Sequence, residues 1–236
     1  MASSAAQVAW NNGWHRSTPH LVSSGRRFGP WEANTFMGAL SAAAILELES
    51  VMSAREYDAG EILFLEQEPL SRVFIVISGD MRLSIQDIDG RRLTLHIARR
   101  GDVLGMGSAL YGSLSEWSAD ALYPSRLGLI SRDQFHRFAE RHPEVHRIAS
   151  QQLVQTLGYA CETLRIVGLT SCVRRKLASQ LLAWGRHGCT SGDQTQFRMT
   201  LTHAQIAEFI GAVRETVRAG AKIDHVAPRE RRGVAE

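Results

Sequence analysis

The rhythm of apolar residues changes at Ser131, and that change constrains the fold more than any other feature of the chain. Before it the sequence reads in twos. Ile62 and Phe64, residues 73–77, Met81, Leu83 and Ile85, then Leu93, Leu95 and Ile97 form short runs rich in β-branched and aromatic side chains. Turn signals separate them: Ser78-Gly79-Asp80, Asp89-Gly90 and Gly101-Asp102. Asp89-Gly90 lies between two alternating runs, the pattern of a tight β-hairpin. Several short strands at this spacing predict a small sandwich or barrel.

After Ser131 the chain reads in threes and fours. Ser131 and Gln134 form a capping box that opens a helix over 134–141. Pro143 permits a fresh helix start, and no further proline follows before Gly168. Within that stretch Leu153, Leu157, Ala160, Leu164 and Val167 recur at coiled-coil spacing, which predicts a long helix pairing with its twin in a second copy. A long helix packed only on its own domain is the alternative. Nearer the N-terminus, Ser41 is placed to cap a helix over 42–52. Beyond 169, Thr170-Ser171 precede a helix over 172–184 with Val173, Leu177 and Leu181 on one face. Residues 186–196 read as a polar loop, and Phe197-Met199-Leu201 as a short strand.

Charge is uneven along the chain. The whole carries +3, yet residues 170–236 hold 11 Lys/Arg against 6 Asp/Glu. A basic C-terminal part suits a partner rich in phosphate. No apolar run reaches the roughly 18 residues of a membrane helix. Cys161, Cys172 and Cys189 have neither paired nor metal-ligand spacing, which points to a reducing cytoplasm and to no metal site. The first residues lack the basic-then-apolar layout of a secretion signal and read as a tail. A phosphate loop, a nucleophile elbow and an HExxH zinc motif are all missing from the sequence, so an enzyme is not expected.

The segment around residue 211 carries the functional reading. Thr202, His203, Ala204 and Gln205 form a second capping box, followed by Ile206, Phe209 and Ile210. Gly211-Ala212 breaks this helix, and Val213 starts another: the helix-turn-helix pattern. The second helix presents Arg214, Glu215 and Arg218 from its first turns, with Val217 turned to the core. Arginine can give a bidentate pair to guanine, and glutamate can accept from the cytosine amino group. The hydroxyls of Thr202 and Thr216 suit phosphate oxygens. Thr202, His203, Gln205, Arg214, Glu215, Thr216 and Arg218 are therefore the candidate DNA contacts, and double-stranded DNA the expected partner. An ordinary helical hairpin with a solvated charged end is the competing reading.

Taken together these pieces resemble the CRP/FNR superfamily, the relatives of the cyclic-AMP receptor protein. The matching segments are 60–64 (GEILF), 73–79 (VFIVISG), 101–105 (GDVLG), the long helix after Pro143, 201–211 (LTHAQIAEFIG) and 214–217 (RETV), in family order. The resemblance implies an α+β chain. Its parts would be a tail (1–33), a cyclic-nucleotide-binding-like β-roll or jelly roll that senses an effector (34–142), a dimerisation helix (143–169) and a winged helix-turn-helix (170–236). It also implies a cytoplasmic homodimer that reads a pseudo-palindromic DNA site and works with RNA polymerase.

Two departures accompany the resemblance. Cyclic-AMP binders carry a Glu beside the glycine of the cassette and an Arg further on. Here an ungapped register puts Met106 and Ser115 at those places, with the acidic Glu116 next. A phosphate without a cation, beside a carboxylate, is poorly paired, which argues against cyclic AMP. The effector is thus unidentified, and Gly105, Met106, Gly107, Ser108, Leu110, Ser115 and Glu116 are its candidate pocket. An iron–sulfur cluster is disfavoured because no cysteine precedes Cys161. Haem is disfavoured because His96, though available as an axial ligand, is a lone His on an alternating strand and more often structural or exposed. The second departure follows Val217, where Ala219 stands at a place the family gives to Arg, Arg218 comes one residue early, and no wing sequence follows. Val213 likewise replaces a capping hydroxyl, a loss of about 1 kcal/mol. A sensory and dimerisation module with weakened DNA binding is therefore the alternative function.

Overall fold

The computed structural model describes residues 27–185, 189–191, 194–196 and 201–220. The chain divides into two compact units, one running to Cys161 and the other beginning at Glu162.

The first unit is a β-roll flanked by helices. Its elements are α1 (Phe36–Ala39), α2 (Ala42–Val51), β1 (Ser53–Tyr57), β2 (Ile62–Phe64), β3 (Arg72–Ser78), β4 (Met81–Gln86), β5 (Arg92–Ala98), β6 (Val103–Leu104), α3 (Met106–Tyr111), β7 (Ser118–Ala121), β8 (Ser125–Ser131) and α4 (Arg132–Arg141). The helix α5 (Glu144–Leu169) leaves this unit and continues into the next. Two antiparallel four-stranded sheets form, in the orders β1-β8-β3-β6 and β2-β7-β4-β5. Between them lies a core of Tyr57, Phe64, Phe74, Val76, Met81, Leu83, Ala119, Leu127 and Leu129. The opposite face of the first sheet, with Val73, Ile75, Ile77 and Ile130, packs on Phe36, Met37, Ile45, Leu48, Phe135, Phe138, Val145 and Ile148. This is why residues 73–77 form an unbroken apolar run: β3 is buried on both faces.

Local signals place the joints. Ser41 Oγ accepts from Ala44 N–H at 3.2 Å and starts α2. Ser131 is both the last residue of β8 and the cap of α4, where the complete capping box forms with Gln134. At the β4–β5 turn Gly90 has φ 79°, and Asp87 accepts from both Gly90 and Arg91 N–H. The carboxylate of Glu47 on α2 accepts from Arg141 Nε at 2.8 Å and lies 2.7 Å from His142 Nε2. Both partners hold its carboxyl below the usual carboxylate range, His142 most.

Three features differ from the sequence reading. First, β1, β6, β7 and β8 join the four expected runs. β1 (SAREY) and β7 (SADA) lack an apolar alternation because their strength is cross-strand pairing, with β8 and with β2 and β4. Second, the end of the assigned tail is docked. Trp31 is buried, its Nε1 donates to Glu49 Oε1 at 2.9 Å, and Arg27 N–H donates to Glu49 Oε2 at 2.8 Å. Arg100 lies over the Trp31 ring and donates to the carbonyls of Phe28, Pro30 and Ile77. A buried carboxylate is stable only with such donors, and no periodic pattern announces them. Third, the polar loop holds an antiparallel pair, β9 (Cys189–Ser191) and β10 (Gln194–Gln196), with Thr190 opposite Thr195. Residues 1–26, 197–200 and 221–236 lie outside the described residues; they include Trp10, Trp14, the expected strand from Phe197 and the basic tail Arg229, Arg231 and Arg232.

The second unit consists of the end of α5, α6 (Val173–Gly185), the β9–β10 pair, α7 (His203–Phe209) and α8 (Arg214–Gly220). Trp184 of α6 meets Phe209 of α7 edge to face, ring centroids 5.0 Å apart at 89°. Leu177 and Gln180 are the buried positions of α6, and Val173 and Leu181 are half-buried. No described helix is long and apolar enough to cross a membrane.

Candidate nucleic-acid interface and effector cassette

The α7–α8 pair is built from its caps inward. Thr202 Oγ1 accepts from Gln205 N–H at 3.3 Å, and Gln205 Oε1 accepts from Thr202 N–H at 2.7 Å, so the capping box satisfies two backbone donors at the head of α7. Ile206, Ala207, Phe209 and Ile210 fill the core behind it. The turn needs glycine: Gly211 has φ 56°, and a Cβ there would meet Val167 Cγ1 at 3.1 Å. Ala212 N–H closes the turn onto Ala207 O at 3.0 Å.

α8 then starts from Val213, whose carbonyl accepts from Thr216 and Val217 N–H at 3.1 and 3.3 Å. Val213 has no side-chain acceptor to offer and is 63% exposed. Val217 is fully buried, while Arg214, Glu215, Thr216 and Arg218 are exposed. Arg214 and Arg218 are four residues apart in the sequence, hence on one helix face. Glu215 in the first turn and Arg218 in the last both complement the helix dipole. Thr202 is exposed, and His203 and Gln205 are half-buried. Six of the seven candidate contacts thus fall on the heads of two short helices joined by one tight turn, and Arg218 lies one turn further along α8. Chemically this end offers two guanidinium groups, a carboxylate and two hydroxyls from a rigid base.

The cassette residues fall differently. Gly105 has φ 80° and heads α3; a Cβ there would press on Arg72 O at 3.0 Å. Met106 is buried in the helix-side core, and Leu110 packs against that core half-buried. Ser108 Oγ donates to Ser113 O at 2.5 Å, and Ser115 Oγ donates to Trp117 O at 2.6 Å; both serines are buried. Glu116 is exposed, with Oε1 3.2 Å from the place a Gly107 Cβ would occupy. The stretch is therefore tied up internally, with a carboxylate over its glycine. An open cleft of about 350 Å³ lies elsewhere, lined by Pro69, Leu70, Ser71, Ser131, Arg132 and Asp133.

The helix α5 shows two faces. Val145, Ile148 and Ala149 are buried, Gln152 Nε2 donates to Val103 O at 2.7 Å, and the Tyr159 ring stacks on His96. On the other side Val154, Leu157 and Leu164 are 69%, 63% and 61% exposed. Of the expected seam, Leu153, Ala160 and Val167 are half-buried. Sequence reasoning missed the Tyr159 contact; only its helical spacing of seven from Gln152 hints at a shared face.

Residues 54–142 match the model of the cyclic nucleotide-binding domain. The nitrogen fixation regulation protein FixK of Bradyrhizobium diazoefficiens is 28% identical, over 76% of this chain and 74% of that protein. The CRP-like cAMP-activated global transcriptional regulator of Mycobacterium tuberculosis is also 28% identical, over 78% of this chain and 82% of its own length. The chain carries a cyclic nucleotide-binding domain and is similar to transcription regulators of the CRP and FixK kind. The solved structure of FixK2 from Bradyrhizobium japonicum shares the fold, with a TM-score of 0.61 and 23% identity over 73% of this chain and 83% of that one. The domain match begins inside β1 and ends at the α4–α5 joint, so it covers the roll and stops short of α7 and α8.

Proposed function

We propose that this regulator binds DNA as a homodimer and reads a pseudo-palindromic site through the helix that begins at Arg214. The observation that carries the reading is the division of α8 into a buried Val217 and an exposed Arg214, Glu215, Thr216 and Arg218. A positioned Arg and Glu on a helix head fit the donor and acceptor pattern of the major groove. The exposed Leu157 and Leu164 on α5 are the apolar surface that a second copy would cover. The relatives are regulators rather than enzymes by name, and the proposal places this chain's action in the cytoplasm, together with RNA polymerase.

Control comes from a signal other than cyclic AMP. Met106 is committed to the core, Ser115 is bonded to Trp117 O, and Glu116 places negative charge over Gly107. An anionic phosphate finds no cation in that set. Neither an iron–sulfur cluster nor haem is part of the reading.

A gel-shift titration with random-sequence selection tests the claim. Arg214→Ala is expected to cost about 1–3 kcal/mol at one base pair and to relax specificity there. Equal loss on every sequence would make Arg214 a phosphate contact. No discrete complex at low salt would refute DNA reading by α8.

A further inference from the structure

Tyr159 on α5 and His96 on β5 lie face to face, ring centroids 4.3 Å apart and planes within 6°. Their separation in sequence makes this a long-range tie. His96 is the cross-strand partner of Leu83, and Leu83 pairs with Ala119, so the ring belongs to the face that forms the inter-sheet core. Seven residues before Tyr159, Gln152 bonds Val103 O of β6. The helix is thus fastened along one stripe, first to β6 and then to β5. Tyr159 stands two residues before the boundary at Cys161, where the roll's unit ends.

The residue beside it is Gly158, exposed, in mid-helix, with nothing within 4 Å of where its Cβ would be. No neighbour demands a glycine there. Its effect is to loosen the helix, since glycine is among the weakest helix formers. A weak point and a ring clamp therefore sit on adjacent residues, immediately ahead of the segment that leads to α6.

We propose that Gly158 is a hinge in α5 and that the His96–Tyr159 stack is the latch that keeps it closed, so that opening this stack is the conformational step through which the roll governs the C-terminal unit. Burial keeps the His96 imidazole uncharged, which lets the two rings pack as neutral planes. The latch needs no bound ligand to close; a signal acts by parting the rings. The consequence at DNA rests on the function proposed above, whereas the latch itself does not.

Deuterium exchange of backbone amides over 152–161 in the full-length protein tests the latch directly. Tyr159→Ala should speed exchange there about tenfold and weaken DNA binding by a similar factor, while Tyr159→Phe, which keeps the ring, should match the wild type. Gly158→Ala should slow exchange about fivefold, the factor set by the glycine-to-alanine helix preference. His96→Leu removes the other ring and should give the same tenfold speeding, which keeps the test decisive if Tyr159→Ala fails to fold. Exchange within twofold of wild type for both ring deletions would overturn the latch, and an unchanged rate in Gly158→Ala would overturn the hinge. A wild type that binds no DNA would sink the DNA reading, and the exchange rates would still decide the latch.

Discussion

Lowering the pH should destabilise the roll through His96 alone by an amount that can be measured. Burial, helped by the neighbouring positive charge of Arg99, pushes the His96 imidazole down from 6.5 to about 4. Above pH 6.5 the ring is neutral both in the fold and in the unfolded chain, and no penalty exists. Between pH 6.5 and 4 the unfolded chain takes up a proton that the folded ring refuses, so stability falls as pH falls. Below 4 both forms are charged and the loss levels off. At about 1.4 kcal/mol per pH unit the full loss is roughly 3 kcal/mol, and most of it has gone at pH 4.5. Asp80 and Asp102 work in the opposite sense, because burial raises their carboxyls and the fold gains as they protonate. They are common to wild type and variant and cancel in the difference. Urea unfolding of wild type and His96→Gln at pH 7 and pH 4.5 gives the comparison, with the wild type losing about 2–3 kcal/mol more than the variant. A His96 ring-proton titration centred near 6.5, or equal pH slopes for the two proteins, would refute the argument.

Two further outcomes follow from packing. Leu157→Asp or Leu164→Asp, each placing a charge on the exposed apolar face of α5, should give a protein that sediments as a monomer; a dimer at micromolar concentration would remove the pairing role of that face. Arg82 donates to Asp120 at 2.6 Å with both side chains largely shielded, and Arg92 stands 3.8 Å away. Arg82→Met should cost about 3 kcal/mol in chemical denaturation because it strands a buried carboxylate; a loss below about 1 kcal/mol would mean Arg92 takes over the pairing.

Signals that act over three or four residues were readable in the sequence. The capping boxes at Ser131–Gln134 and Thr202–Gln205, the turn at Asp89-Gly90 and the glycine break at Gly211 all form as spelled. Their physics is local, since side chain and backbone partner are neighbours in the chain. β1 was not readable. Its partners, Ser125 to Leu129, lie far along the chain, and its own residues are mostly polar and partly exposed. The same applies to the His96–Tyr159 stack: a lone His on an alternating strand reads as structural, but nothing in the sequence names its partner, a ring supplied by another element. At the helix-turn-helix the exposed set on α8 was legible because one buried valine fixes the phase of the whole short helix.

The docked segment from Arg27 to Trp31 has a practical side. Pattern recognition places the start of ordered structure near residue 34, and a shortened protein begun there would look sensible on paper. It would also strip the indole and amide donors from Glu49, leaving an interior carboxylate without its two hydrogen bonds. Anyone trimming this regulator for crystals or spectroscopy should keep everything from Arg27 onward.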